Sequence, residues 1–532
     1  MGKQVQFDDA ARAALRAGVE KLAGAVRVTL GPRGRNVVIE HAGHSPTITN
    51  EGLTIAQEVE LADRFENLGA RLVREAAART GGQAGDGTTT ATVLAHALVV
   101  RGLRAVAAGH NPVALRRGLE RAVREAVAHV AEHARAVGGR EDLARIATVS
   151  AGGDAALGAL VAEAMDRVGR AGVVTVEEGR SLETSLEVVE GVRFEGGYLS
   201  PYFVTDPDGM EAALDRPLVL VADLKFTQAR DMLPALEIAA RHRRPLLVAA
   251  EDVEGEALAT MVVNRLRGTV QSVAVRVPGL GERRRAMLED LALLCGANLV
   301  AADLGREPEG VTEEDFGRAR RVRVDHDSTT VIEGGGRPAA VRLRLQALER
   351  ELAGASSEAD AERLRERRAR LAGGVAVIRA GGATETAMKE RRARIEDALA
   401  ATRAAVEEGV VVGGGLALLR ARAALDRLGL TGDEAVGARI VAEALEEPAA
   451  QIASNAGMEG AVAVARAREL PFATGLNALT LQFEDLREAG ILDPAKVVRC
   501  ALENAASVAQ LVLTTDAVVV ESDEEDAGPG AP

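Results

Sequence analysis

The chain has 532 residues and a formal net charge of −14, the wrong sign for a protein that grips nucleic acid through its phosphates. Hydrophobic residues make up 47% but aromatics only 2%, with no Trp, so several domains are expected whose cores are built from Ala, Val and Leu, a composition that favours helix. No run is expected to span a membrane, the first residues lack the apolar core of a signal peptide, and Cys295 and Cys500 are too far apart for a metal knuckle. A cytosolic protein without nucleic-acid or membrane partners is therefore expected.

In chain order, Asp8 or Asp9 is placed to cap a first helix continuing through Ala10–Leu30, with Leu15, Val19, Leu22 and Val26 on one stripe. Gly31-Pro32-Arg33-Gly34 stops it, and Asn36–Glu40 and Thr47–Thr49 read as strands. A turn at Asn50-Glu51-Gly52 leads into a helix that is expected to run to about Gly81.

Next comes Gly85-Asp86-Gly87-Thr88-Thr89-Thr90, followed by an apolar run suited to a buried helix ending near Gly109. A glycine turn feeding a helix start points unpaired N–H groups outward at the positive end of the dipole, a place suited to phosphate. Asp86 would repel a bare phosphate and so asks for a bridging cation, most simply Mg²⁺. The plain alternative is a helix cap, since Asp and Thr are ordinary N-cap residues.

Asn111-Pro112 supplies the cap and first-turn proline of the next helix, on which His129 and His133 stand four apart. With no third ligand nearby in sequence, the pair reads as a solvated helical face rather than a metal site. Beyond about 135 the texture changes, and from 191 to 374 short apolar strands such as Leu218–Ala222 and Pro245–Ala249 alternate with helices Arg230–Arg241 and Gly255–Leu266. Residues 341–353 and 358–372 read as a charged helical hairpin. Ala383–Glu408 is helical and includes Asp397, which alone reads as a capping carboxylate beside Arg394. The Gly-rich link Gly413-Gly414-Gly415 then opens another helical region, and the end from Glu521 is an acidic tail expected to be disordered.

Phosphate-competent glycine loops thus fall near 31, 85 and 413, in the two terminal thirds, while the middle third is α/β. If the terminal thirds form one domain around one site, the middle is an insertion with two crossings at its base that act as a jointed linker.

The residues that carry this organisation also resemble a family. Thr29–Val38, Gly85–Leu94, Gly197–Phe203, Ala250–Leu258, Lys389–Gly409 and Gly490–Pro494, in this order and spacing, resemble a group I chaperonin of the bacterial GroEL type over about 520 residues. The resemblance implies a mainly α, three-domain subunit, discontinuous in sequence. Its parts are a helical equatorial ATPase domain (1–132 and 408–520), an intermediate hinge (133–189 and 375–407) and an α/β apical domain (190–374), with 521–532 left as tail. It implies an ATP-dependent folding chaperone and ATP hydrolase that works as a sevenfold ring, usually two stacked, with a lid-type GroES-like co-chaperonin and unfolded clients.

Carried over by position, the resemblance places Thr29, Leu30, Gly31, Pro32, Asn50, Gly87, Thr88, Thr89 and Thr90 around the phosphates of ATP, with Ser150, Gly413 and Gly414 lining the pocket. Asn477, Ala478, Leu479 and Asp493 fall around the adenosine. Asp86 becomes the Mg²⁺ ligand, Thr29 and Thr90 stand near a K⁺ ion, and Asp397 becomes the catalytic carboxylate, with Glu51 the second carboxylate of the water site. Tyr198, Ser200, Tyr202, Phe203, Leu233, Leu236, Leu258, Val262 and Val263 match positions that hold clients.

The chain also departs from the family. Asn50-Glu51 stands where Lys-Asp is usual, and the extra methylene would displace the carboxylate by roughly 1.5 Å, enough to slow hydrolysis. Gly196 and Ala450 replace arginines of inter-subunit contacts, the first of them a partner for the position of Glu385, which implies altered ring coupling. A divergent paralogue acting as a slow or non-hydrolysing holdase, or a metabolic kinase using the same loops, are the rival readings.

Overall fold

The computed structural model describes residues 2–41, 46–169, 173–179, 181–189, 191–207, 209–354, 357–372 and 374–521. They divide into two compact units, one holding the described residues up to Ala162 and from Ala383 onward, the other Glu163–Gly382. The described residues are mainly helical, with an α/β insert in the middle of the chain, as expected from the sequence.

The first unit is helical. Its helices include Asp8–Val26, Arg64–Ala84, Thr88–Ala107, Pro112–Glu132, Gly432–Ala444 and Ala495–Leu513, and they share one core of Ala, Val and Leu. The stripe Ala11, Leu15, Val19, Leu22, Val26 is fully buried, as its period requires. With few large side chains, packing comes from close backbone approach. A Cβ on Gly18 would lie 1.8 Å from the Glu66 carbonyl oxygen and one on Gly69 2.1 Å from that of Leu15, so paired glycines set the crossing of Asp8–Val26 and Arg64–Ala84. Gly118 and Gly437 do the same for Pro112–Glu132 and Gly432–Ala444.

Several boundaries differ from the sequence reading. Phe7, not Asp8 or Asp9, occupies the first N-cap; both aspartates sit in the first turn, and the helix gives way to a 3₁₀ turn at Arg27–Thr29. The helix expected from 52 to 81 is two, Gly52–Glu58 and Arg64–Ala84, because the Asp63 carboxylate caps a fresh start at the N–H groups of Phe65 and Glu66. The termini hold strands that sequence reasoning missed: Lys3–Phe7 pairs antiparallel with Ala517–Glu521. Glu521, expected to begin the tail, stands opposite Lys3 and forms a 3.1 Å ion pair with it, while the rest of the expected tail lies outside the described residues. Thr88–Ala107 is, by length and composition alone, apolar enough to cross a membrane, contrary to the expectation, and most of it is buried inside this unit.

The second unit is built on a mixed sheet with the strand order Ser272–Arg276, Leu246–Val253, Leu218–Phe226, Gly317–Val324, Ser328–Gly334, Gly191–Glu195. The first three run parallel, linked by the helices Ala229–His242 and Gly255–Leu266, and their uninterrupted apolar runs are buried on both faces. Pro338–Ala353 and Glu358–Ala372 pack on each other. A smaller sheet joins Val173–Glu178, Val375–Ala380 and Ser185–Val189. The residues expected to form the hinge are therefore divided, with Arg140–Ser150 and Glu385–Glu408 in the helical unit and the small sheet in the other.

Candidate functional site

Three glycine turns of the helical unit open on one cleft. The first follows the turn Arg27–Thr29, where Gly31 takes φ 85° and the Asn455 side-chain amide donates to the carbonyls of Arg27 (2.9 Å) and Leu30 (2.8 Å), fixing the loop. In the second, Gly85 and Gly87 take φ 72° and 83°, a region that favours glycine. A Cβ on Gly85 would also meet the Cβ of Ala400 at 2.1 Å. Gly87 is the N-cap of Thr88–Ala107 and no side chain bonds to the helix start, so neither Asp86 nor the threonines act as the cap that the plain reading offered. The third turn follows the strand Val410–Val412, which pairs with Leu492–Pro494 so that Val411 faces Asp493. Gly414 and Gly415 donate their N–H groups to the Asp493 carboxylate.

The Asp86 carboxylate accepts from its neighbour Gly87 N–H at 2.5 Å and from Ser150 Oγ at 2.8 Å. Burial holds its pKa above the usual carboxylate range, and the charge of Glu51 adds to this against the Ser150 and Gly87 bonds. Asp397, on Glu385–Glu408, is raised further, by burial first and then by the charges of Asp86 and Glu51. Asp493 is pushed up to about 7 by burial and by Asp86. Four carboxylates thus share one field, and hard oxygen donors crowded beside open N–H groups suit a hard cation bridging to an anion. The fit holds for Mg²⁺ at Asp86. It holds for K⁺ too: Thr29 spends its hydroxyl proton on the Val26 carbonyl (2.9 Å), leaving its lone pairs for a cation, and Thr90 lines the same cleft.

Glu51 has an engagement that the sequence did not reveal. Its carboxylate caps Gly52–Glu58, accepting from the N–H groups of Leu53 (3.2 Å) and Thr54 (3.1 Å) and from the Thr54 hydroxyl. The longer side chain folds back on its own helix.

On the other wall, the hairpin Thr474–Asn477 with Gln482–Asp485 presents Asn477, Ala478 and Leu479. Asn477 holds the turn, accepting from Leu479 N–H (3.0 Å) and donating to Glu484 (2.7 Å), and Arg33 from the first loop donates to the Leu479 carbonyl at 2.7 Å. The cleft has a volume of about 1080 Å³. It is lined by every residue assigned above to nucleotide, metal or catalysis except Gly413, which is buried behind Gly414 against Ile491 and Asp493. Sequence reasoning missed Gly415, whose N–H points at Asp493, and the cations Arg145 and Lys389; these and Arg394, which the sequence set beside Asp397, line the cleft, each cation with a Glu partner four residues before it. Lys389 could have been found from its helical spacing to Asp397 (i−8).

In the α/β unit the residues matched to client binding separate. Phe203 and Leu236 are 0% and 4% exposed and belong to the core, and Ser200 is buried with its hydroxyl accepting from Tyr202 N–H, so these three offer no surface. Tyr202, Leu233 and Val263 are exposed, and Tyr198, Leu258 and Val262 are half-buried. Gly255–Leu266 has two apolar faces: Ala257 and Met261 in the core, Val263 and Leu266 in solvent. Gly196 is more than a missing arginine. At φ 134° a Cβ there would lie 2.2 Å from the Arg276 carbonyl oxygen, so this backbone admits no side chain. Glu385, in the helical unit, pairs with Lys389 at 2.8 Å.

A three-loop cleft in a helical unit, with a separate α/β insert, defines a chaperonin-type subunit. Residues 22–523 match the TCP-1/cpn60 chaperonin family, and the chain belongs to that family. Among solved structures it is similar to the chaperonin gp146 from the bacteriophage EL 2 (Pseudomonas aeruginosa), crystallised in the presence of ATP-BeFx, at 21% identity and a TM-score of 0.68, over 98% of this chain and 99% of that one.

Proposed function

We propose that the chain is the subunit of an ATP-driven chaperone. In this reading it captures non-native proteins on exposed apolar surface of the α/β unit and promotes their folding in an enclosed ring cavity. The observation that carries the reading is the meeting of the 31, 85 and 414 turns with Asp397 on one cleft, although they come from opposite ends of the chain. The uncapped helix start at Thr88–Thr90 offers N–H groups and hydroxyls to a triphosphate, and the hairpin at Asn477–Leu479 takes the adenosine. Mg²⁺ held by Asp86 supplies the positive charge that lets a polyanion sit beside four carboxylates, and Thr29 and Thr90 would hold K⁺. Asp397 orients the attacking water, a contribution of position and charge.

The domain limits inferred above, a cytosolic setting, a sevenfold ring stacked in two and a lid-type co-chaperonin are the family's pattern and are proposed here with it. Self-association has support in the helical unit itself. Two separate two-stranded sheets leave apolar side chains in solvent, Val5 (43%), Phe7 (60%) and Val519 (55%) on one, Val38 (66%) and Ile48 (53%) on the other, with open edges that invite strand addition from copies.

A second reading, a slow or non-hydrolysing holdase, draws on Glu51, whose carboxylate is committed to its own helix. Steady-state ATP hydrolysis separates the two. As an ATPase, the chain turns over ATP, and Asp397→Asn lowers the rate on the order of 10²-fold while nucleotide binding persists. Glu51→Asp then raises the rate, since it removes the methylene that displaces the carboxylate from the water site. An Asp397-independent rate would overturn the catalytic assignment, and client capture indifferent to ATP would select the holdase.

A further inference from the structure

The last turn of Pro112–Glu132 carries a feature that the chaperone reading does not use. His129, Glu132 and His133 bring one ligand atom each to within 4.8 Å of one another. The spacing i, i+3, i+4 places them on adjoining faces of one turn, and the third ligand missing from the sequence reading is Glu132. The tautomer of His133 is settled: its Nδ1 lies 2.9 Å from the His129 carbonyl oxygen, which can only accept, so Nδ1 carries the proton and Nε2 keeps its lone pair. That bond, together with stacking on Phe472 at 4.7 Å and 20° between ring planes, holds the ring in one orientation. His129 Nε2 is buried and has no hydrogen-bond partner among the described residues. A buried ring nitrogen without a partner is costly unless something absent from the chain meets it.

We propose that His129, Glu132 and His133 form a binding site for a borderline divalent cation, Zn²⁺, at the end of this helix. Two imidazole nitrogens and one carboxylate oxygen are an ordinary Zn²⁺ donor set, and three protein ligands leave a position for water. The His133 Nδ1–H bond to a backbone carbonyl is the outer-shell contact that metal-bound histidines usually make. Burial and the neighbouring His133 hold His129 on the neutral side of its ordinary range, the form that ligates. Of the other charges near His129, Arg427 opposes a cation, and Glu125 with Glu132 offsets it. The site clamps the final turn just before the chain pairs at Arg135 with Val410.

The test is Zn²⁺ alone, titrated into the full-length assembled protein with Mg²⁺ in excess to occupy the carboxylate cleft. One Zn²⁺ per chain is expected. Affinity should fall more than about tenfold in His129→Gln and in His133→Asn, since even outer-shell changes weaken metals that much. Asp86→Asn should leave the stoichiometry intact. Absence of stoichiometric binding, equal binding by the histidine variants, or loss in Asp86→Asn would overturn the proposal. Should the variants fold poorly, Co²⁺ in the unaltered chain decides: a low-coordinate spectrum without thiolate charge transfer supports the site, whereas an aqua-ion spectrum or a thiolate band refutes it.

Discussion

Asp493 shows how single residues in the cleft are tuned. Its position opposite Val411 is fixed by strand pairing, its carboxylate by two backbone N–H groups, and its proton affinity by burial beside Asp86. An acid whose folded pKa is raised binds its proton more tightly in the native state, so stability is lost as pH rises from the ordinary carboxylate value of 3.8 to about 7. Asp86 and Asp397 act in the same direction. Without nucleotide or Mg²⁺, the first thermal transition should fall as pH is raised across this window. Asp493→Asn keeps one acceptor oxygen for Gly414 and Gly415 but not the charge, and should recover of order 2 kcal/mol at the alkaline end. A variant with the same pH dependence as the parent would show that the carboxylate is better solvated than its position implies. Asp86 and the threonine run were legible in the sequence because one motif holds glycine, carboxylate and hydroxyls together. The capping of Gly52–Glu58 by Glu51 was not, because whether a side chain folds back on its own helix start is decided by rotamer, which no motif encodes.

Among the elements, the turn at 85–87 joins two long helices, and its glycines answer both to backbone conformation and to space. Gly85→Ala would force a left-handed alanine against Ala400 on the Asp397 helix. The change should destabilise the unit by about 1–3 kcal/mol and, by displacing Glu385–Glu408, lower ATP turnover as well. Gly109→Ala is the control: it also has a positive φ, 93°, but meets nothing within 4 Å. If the two variants lose turnover equally, contact with the Asp397 helix has no part in the effect. Helices with caps and a clear stripe were read nearly to the residue, as at Asn111-Pro112, where the Asn side chain accepts from Val113 and Ala114. The terminal strands escaped because each is five residues long and gains its partner more than 500 positions away, a pairing that no local period reveals.

For the whole molecule, sequence pattern anticipated an α/β insert but could not say which of its apolar residues face solvent. Gly255–Leu266 illustrates why: a helix with apolar residues on two faces has the same periodicity whichever face is buried. The core takes Ala257 and Met261, leaving Val263 at 42% and Leu266 at 64% exposure, and Leu233 on Ala229–His242 is similarly exposed. Non-native proteins have little in common except exposed apolar surface, so under the proposed chaperone function these side chains are the ones available for capture, at roughly 25 cal/mol per Å² buried. Replacing both Val263 and Leu266 by Ser removes a contribution of about 1.5 kcal/mol or more for each side chain fully covered, so affinity for a denatured client should drop at least about tenfold. ATP hydrolysis without client should be unchanged, because neither residue lines the cleft. Phe203→Ser, at a position that the family resemblance grouped with Val263, should behave differently: with its ring at 0% exposure the change opens a cavity in the core, costing about 3–5 kcal/mol, and unfolding of the α/β unit should appear before any selective loss of capture. Capture that survives in the double Ser variant and fails only when Phe203 is changed would mean that clients bind a rearranged core, and that the exposed face of Gly255–Leu266 serves another partner.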